Sequence, residues 1–181
     1  MAKAEGCVVY GTAGSAKKLD FLRSQGVDHP INYREADFAE VVGSLRGEAG
    51  LDVVFDSLGG KAFKQGYRLL GPGGRIVGFG ASSRMGGGRN ILNDIRTLLG
   101  FGFYAPPFML MASKSVLGVN MLRIADHRPD MLRLCLESVV TLWKEGKIKP
   151  VVGGVFKGEE MAAAHRFVEE RKSIGKVIVQ W

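Results

Sequence analysis

With 181 residues, 46% of them hydrophobic and 24% charged, the chain carries the material for one well-packed core and too little length for two complete domains. A net charge of +7 is compatible with nucleic acid, an anionic surface or a phosphorylated ligand, but the basic residues are dispersed, with short runs only at Lys17-Lys18 and from Lys144 to Lys149, which argues against nucleic acid. Cys7 and Cys135 stand far apart with no CxxC pairing, so neither a disulfide framework nor a zinc site is encoded and a reducing cytoplasm fits. The longest uncharged stretch, Thr97 to Ser113, is shorter than the ~20 residues of a spanning helix and is interrupted by Pro106-Pro107.

In chain order, Val8-Val9-Tyr10 reads as a short strand ending at Gly11, and Ser15 offers an N-cap to a helix closed by Gly26. Ile31 sits in a second short strand, and Phe38, Val41, Val42 and Leu45 follow at helical spacing. Leu51 to Phe55 shows little alternation, the pattern of a strand covered on both faces. Phe63, Tyr67 and Leu70 mark the next helix, and Gly71-Pro72-Gly73-Gly74 stops it. Arg75 to Phe79 is a fourth strand; Ile91, Leu92, Ile95, Leu98 and Leu99 give an apolar helix after a glycine-rich loop; Ser115 to Val119 is a fifth strand. A long helix is predicted from Pro129 to Lys144, ending at Gly146, with Leu132, Leu136, Val139, Val140 and Trp143 inward. From Val151 the pattern changes to a short strand, a helix around Met161 to Glu170 and a last strand over Gly175 to Val179, a tail suited to another layer. The repeated alternation predicts right-handed crossovers and a doubly wound, mostly parallel α/β sheet that binds its ligand at the carboxyl ends of the strands.

The stretch Gly11-Thr12-Ala13-Gly14-Ser15-Ala16-Lys17-Lys18 lies where the second strand of a dinucleotide fold turns into its helix and meets the adenosine ribose. An NAD binder usually places an acid there to accept from the ribose hydroxyls, whereas a 2′-phosphate needs cations and donors. This stretch has no acid; Ser15 and Lys18 can donate, and the helix N-terminus adds partial positive charge, so NADP fits better than NAD. Taken alone, the same residues would also serve as an ordinary capped helix start. The Leu70 to Arg75 turn occurs in S-adenosylmethionine methyltransferases too, but such an enzyme usually needs an acid at the end of the second strand, where Gly11-Thr12 stands. His29, His127 and His165 are separated and form no metal-ligand spacing, and no Gly-x-Ser-x-Gly is present, so no catalytic set emerges.

Gly11 to Lys18, Gly26-Val27-Asp28-His29, Ile31-Asn32-Tyr33-Arg34, Asp52 to Gly60 and Gly74 to Gly80 together resemble the zinc-independent quinone-oxidoreductase branch of the medium-chain dehydrogenase/reductase family. The segment with Arg89-Asn90-Ile91 and the stretch from Phe103 to Met111 resemble relatives of the synaptic-vesicle membrane protein within it. The resemblance implies a Rossmann-like fold and NADPH as cofactor, with hydride transfer to a quinone or an α,β-unsaturated carbonyl, where the protein mainly positions donor and acceptor. It places Lys18, Tyr33 and Ser15 on the adenosine 2′-phosphate, and Ser57, Leu58, Phe79, Gly80 and Ala81 at the nicotinamide half. It further implies a homodimer formed through Ser115 to Val119.

Two departures accompany it. The family's first strand, its glycine turn for the cofactor pyrophosphate and its substrate-binding barrel would lie upstream of Met1, so the chain reads as an N-terminally truncated piece. Residues 1–150 then form a partial dinucleotide-binding domain, and 151–181 belong to the absent barrel domain. Since the missing strand is central in the family's sheet, two inner strand edges are expected to lack a partner, and weak or no turnover is expected of these 181 residues alone. A non-catalytic NADPH-binding or assembly domain, using the apolar Leu98 to Met111 loop against a partner or a lipid surface, is the alternative.

Overall fold

The computed structural model describes residues 1–80, 99–170 and 172–181. The chain divides into two compact units, one formed by Met1–Glu35 together with Leu132–Trp181, the other by Ala36–Met131.

In the first unit a short 3-10 turn at Ala2–Glu5 precedes strand β1 (Tyr10–Ala13), helix α1 (Ala16–Ser24) and strand β2 (His29–Asn32), which runs parallel to β1 with Tyr10 opposite His29 and Ala13 opposite Asn32. The strand therefore starts two residues later than Val8 suggested. The Val9 N–H is taken by the Asp28 carboxylate at 2.8 Å, which Lys3 Nζ also grips, so Val8 and Val9 form a tethered lead-in to the strand. The Val9 carbonyl accepts from His29 N at 3.1 Å and begins the pairing. Ala13, Leu19 and Ile31 are the buried apolar contributions of this strand–helix–strand segment. A second parallel pair, β6 (Val152–Lys157) and β7 (Lys176–Gln180), closes the unit. The intervening helix, Met161–Glu169, buries Ala164 and sets Phe167 against Phe156 with ring centroids 5.7 Å apart.

The second unit holds α2 (Phe38–Leu45), β3 (Leu51–Asp56), α3 (Lys61–Leu69), β4 (Leu70–Gly78), α4 (Pro106–Ala112), β5 (Ser115–Gly118) and α5 (Met121–His127). Its strands are ordered β3-β4-β5, all parallel. Asp37 caps α2 by accepting from Ala39 N at 2.8 Å, and Gln65 of α3 donates to both oxygens of the same carboxylate, which ties the two helices together. Phe63, Leu70 and fully buried Ile76 form the core, with Leu51, Val54, Tyr67, Phe101, Tyr104 and Val116 packed around them.

Several expectations change. Gly71 to Gly74 does not simply stop a helix: Leu70 leaves α3 directly into β4, and a two-residue step on β3, Leu51 to Val53, faces a five-residue step on β4, Leu70 to Arg75, so the glycine-rich stretch is a bulge inside the strand. Among the described residues β3 is covered on one face only. α3 rides close over Val54, while Phe55 on the other face is 72% exposed. Helix α6 spans Pro129–Lys144 as predicted, yet Leu136, Val139, Val140 and Trp143 are exposed and Leu132 is half-buried, because no described element covers that stripe. Part of the expected loop up to Met111 is helix α4. The helix over Ile91, Leu92, Ile95 and Leu98 lies outside the described residues; only Leu99 of that set is described, in a helical turn.

Among the described residues all pairings are parallel, but the strands form three separate sheets, β1-β2, β3-β4-β5 and β6-β7, instead of one continuous sheet. Among the described residues β1 and β3 each hydrogen-bond one neighbouring strand only. The same holds for β2, β5, β6 and β7, and of the described strands only β4 has a neighbour on both sides.

Candidate functional site

In the first unit the site is built on the turn between β1 and α1. Ser15 occupies the N-cap position in an extended conformation, but its hydroxyl makes no capping hydrogen bond, contrary to the expected cap. The helix starts without it, through Lys18 N and Leu19 N donating to the Ser15 carbonyl at 3.0 Å each. Lys18 is half-buried in the first turn of α1. Tyr33 follows β2 and is anchored by its own N–H to the Ala13 carbonyl at 3.1 Å. Asn32 holds the turn behind it, accepting from Arg34 N at 3.1 Å and donating to Glu35. This places the Tyr33 hydroxyl so closely over Gly14 that a Cβ there would overlap it.

Tyr33, lying over Gly14, is thus brought to the helix start that Ser15 opens, with Lys18 in the first turn of that helix. Two hydroxyls, an ammonium group and the unpaired N–H groups of a helix N-terminus suit a phosphate dianion. Such a donor set fits a phosphate group of a nucleotide cofactor. Gly14 is the residue that sequence reasoning passed over; its signal was a small residue in the turn immediately before a cap.

In the second unit the strand ends carry Ser57 and Leu58 after β3, and Phe79 and Gly80 after β4. They are brought together by backbone contact. Phe79 N donates to the Asp56 carbonyl at 3.0 Å, and a Cβ on Gly80 would stand 3.0 Å from the Ser57 carbonyl oxygen. Leu58 and Phe79 both present exposed side chains. Ala81 lies outside the described residues. Asp56, also missed, ends β3 as a buried carboxylate whose Oδ1 accepts from Gly59 N at 2.6 Å. Burial pushes its carboxyl above the usual carboxylate range, opposed by the N–H groups of Gly59 and Leu58. An acid two to four residues before Gly-Gly was the available sign of such a turn.

An open cavity of about 790 Å³ lined by Pro106, Pro107, Met109, Leu110 and Ser113 to Ser115 sits at the amino end of β5. Ligands of parallel sheets bind at the carboxyl ends instead, so the strand-end residues carry more weight than this cavity. Among the described residues, no three or more His, Cys, Asp or Glu side chains are grouped to hold a metal ion. No described helix is long and apolar enough to cross a membrane.

Parallel strand–helix units with a phosphate-suited helix start define an α/β protein of Rossmann-like, dinucleotide-binding type. The family model described as zinc-binding dehydrogenase matches residues 25–179, and the chain belongs to that family. Its relatives include VAT-1 homologues and a quinone oxidoreductase-like protein. The chain is 33% identical over 176 residues to the synaptic vesicle membrane protein VAT-1 homolog of Mus musculus, covering 97% of this chain and 43% of that protein. It is 32% identical over 171 residues to quinone oxidoreductase-like protein 2 of Bos taurus, covering 94% of this chain and 45% of the relative. Among solved structures it resembles the CurK enoyl reductase with a TM-score of 0.72 at 28% identity, over 99% of this chain and 48% of that one. The chain therefore spans less than half the length of the curated relatives it matches.

Proposed function

We propose that this chain supplies the nucleotide-binding part of an NADPH-dependent oxidoreductase that transfers hydride to a quinone or an α,β-unsaturated carbonyl without zinc. The observation that carries the cofactor choice is the Tyr33 hydroxyl seated over Gly14 at the start of α1, beside Ser15 and Lys18, with no acid in the stretch from Gly11 to Lys18. An adenosine 2′-phosphate would be held there by Ser15, Lys18 and Tyr33. Ser57, Leu58, Phe79, Gly80 and Ala81 would shape the wall against the nicotinamide, which supplies the hydride when bound. The reductase names of the relatives support the substrate classes: a quinone oxidoreductase-like protein and an enoyl reductase.

Residues 1–150 serve as the dinucleotide-binding part, and 151–181 as a segment of a catalytic barrel domain whose remainder lies outside these 181 residues. The single-partner edge of β5 supports pairing with a second copy through Ser115 to Val119. Cys7 and Cys135 are both exposed and unpaired, in keeping with a reducing cytoplasm. The exposed Leu110 and Met111 on α4 favour the second reading, an assembly domain that binds NADPH without turnover.

Two measurements test the cofactor and separate these readings. Lys18→Glu is expected to abolish the preference for NADPH over NADH, and a retained preference sinks the cofactor assignment. Quinone and enone reduction, assayed on the chain and on the full-length product of its coding sequence, is expected in the latter; its absence from both favours the assembly reading.

A further inference from the structure

We propose that Asp56 is a positioning residue that locks the two strand-end turns at the nicotinamide half of the cofactor into one rigid wall; this rests on the cofactor assignment above. Asp56 is the one buried polar or charged residue among those described, at 8% exposure, and no cation pairs with it there. A buried carboxyl without a countercharge is costly, and an apolar side chain would fill the same strand end at less cost. Its retention is explained by what it holds.

The side chain folds back on the turn that follows. Oδ1 accepts from Gly59 N at 2.6 Å, so the backbone following the Leu58 side chain is pinned to the end of β3. The turn has no slack elsewhere. Gly59 and Gly60 both adopt positive φ, 76° and 59°, and a Cβ on Gly59 would overlap the Phe101 ring. The backbone carbonyl of the same Asp56 accepts from Phe79 N at 3.0 Å, which joins the end of β4 to it, and Gly80 closes directly on the Ser57 carbonyl. The two turns thereby share one frame at Asp56, whose carboxylate ties the turn after β3 and whose backbone carbonyl ties the end of β4. Hydride transfer demands that a ring plane be held to fractions of an ångström, which a wall of loose turns would not provide.

The test compares two ligands on the full-length protein: NADPH, and adenosine 2′,5′-bisphosphate, which reaches only the adenosine half. Titration calorimetry on the wild type is expected to show NADPH binding more tightly than the bisphosphate. Asp56→Val is expected to erase about tenfold of that advantage, roughly the worth of one hydrogen bond, while leaving bisphosphate affinity unchanged. Asp56→Asn, which keeps an acceptor oxygen, is expected to restore most of it. Gly80→Ala, whose Cβ would shift the Ser57 carbonyl by a few tenths of an ångström with Asp56 intact, is expected to reproduce the valine signature and decides the question if the valine variant does not fold. An undiminished NADPH advantage in Gly80→Ala or in folded Asp56→Val overturns the positioning role. So does a wild type that binds both ligands equally. A wild type that binds neither overturns the cofactor assignment itself, and this inference with it.

Discussion

Replacing Gly14 by alanine isolates what Tyr33 contributes to cofactor choice. Gly14 is not among the glycines with positive φ, so alanine brings no backbone strain and the effect falls on the side chain opposite. The new Cβ would lie 2.6 Å from Tyr33 Cζ and 3.1 Å from Cε2, so the ring must leave. At 43% exposure it has solvent to swing into, which puts the stability cost near the low end for overpacking, about 1 kcal/mol. The larger effect is on binding. A hydroxyl bonded to a charged phosphate is worth about 1.5–3 kcal/mol, so NADPH affinity is expected to fall roughly ten- to a hundredfold. NADH, which has no 2′-phosphate, is expected to bind as before. Fluorescence titration of both cofactors, with a thermal melt to confirm folding, measures the two effects separately. An equal loss for NADPH and NADH, or no loss for either, would refute the role given to Tyr33.

The remaining predictions concern the second unit. Burial raises the folded-state pKa of Asp56 above its ordinary 3.8, so its ionisation opposes folding increasingly as pH rises from that value through the folded-state pKa. Asp56→Asn should therefore gain in melting temperature relative to the wild type across that window and then level off; a difference that does not vary with pH would contradict the burial argument. Ile76→Ala removes a fully buried side chain from the centre of the Phe63–Leu70 cluster and is expected to destabilise the fold by about 2–5 kcal/mol, read by urea denaturation. A loss below about 1 kcal/mol would mean that the site collapses around the cavity.

Element order was legible before any coordinates because its signals are local. The helical spacing of Phe38, Val41, Val42 and Leu45, the Gly26 and Gly146 stops and the Pro129 start all lie within a few turns of the elements they define, and α2, α1 and α6 are found there. The candidate 2′-phosphate residues were likewise legible, since Ser15 and Lys18 share one helical turn. Exposure was not. The stripe on α6 and the open face of β3 carry the same apolar residues whether or not another layer covers them.

By itself, then, the sequence determined an alternating α/β chain with parallel pairing, and the donor-rich, acid-free helix start that favours a phosphorylated cofactor. Only the tertiary structure decided that the described strands stand in three separate sheets, that Tyr33 closes over Gly14, and that Asp56 is buried where the ends of β3 and β4 meet. The physical reason is range. Helix periods and caps act between residues three or four apart, whereas a ring resting on a glycine 19 positions away, or an N–H reaching a carbonyl 23 positions away, exists only once the chain has folded.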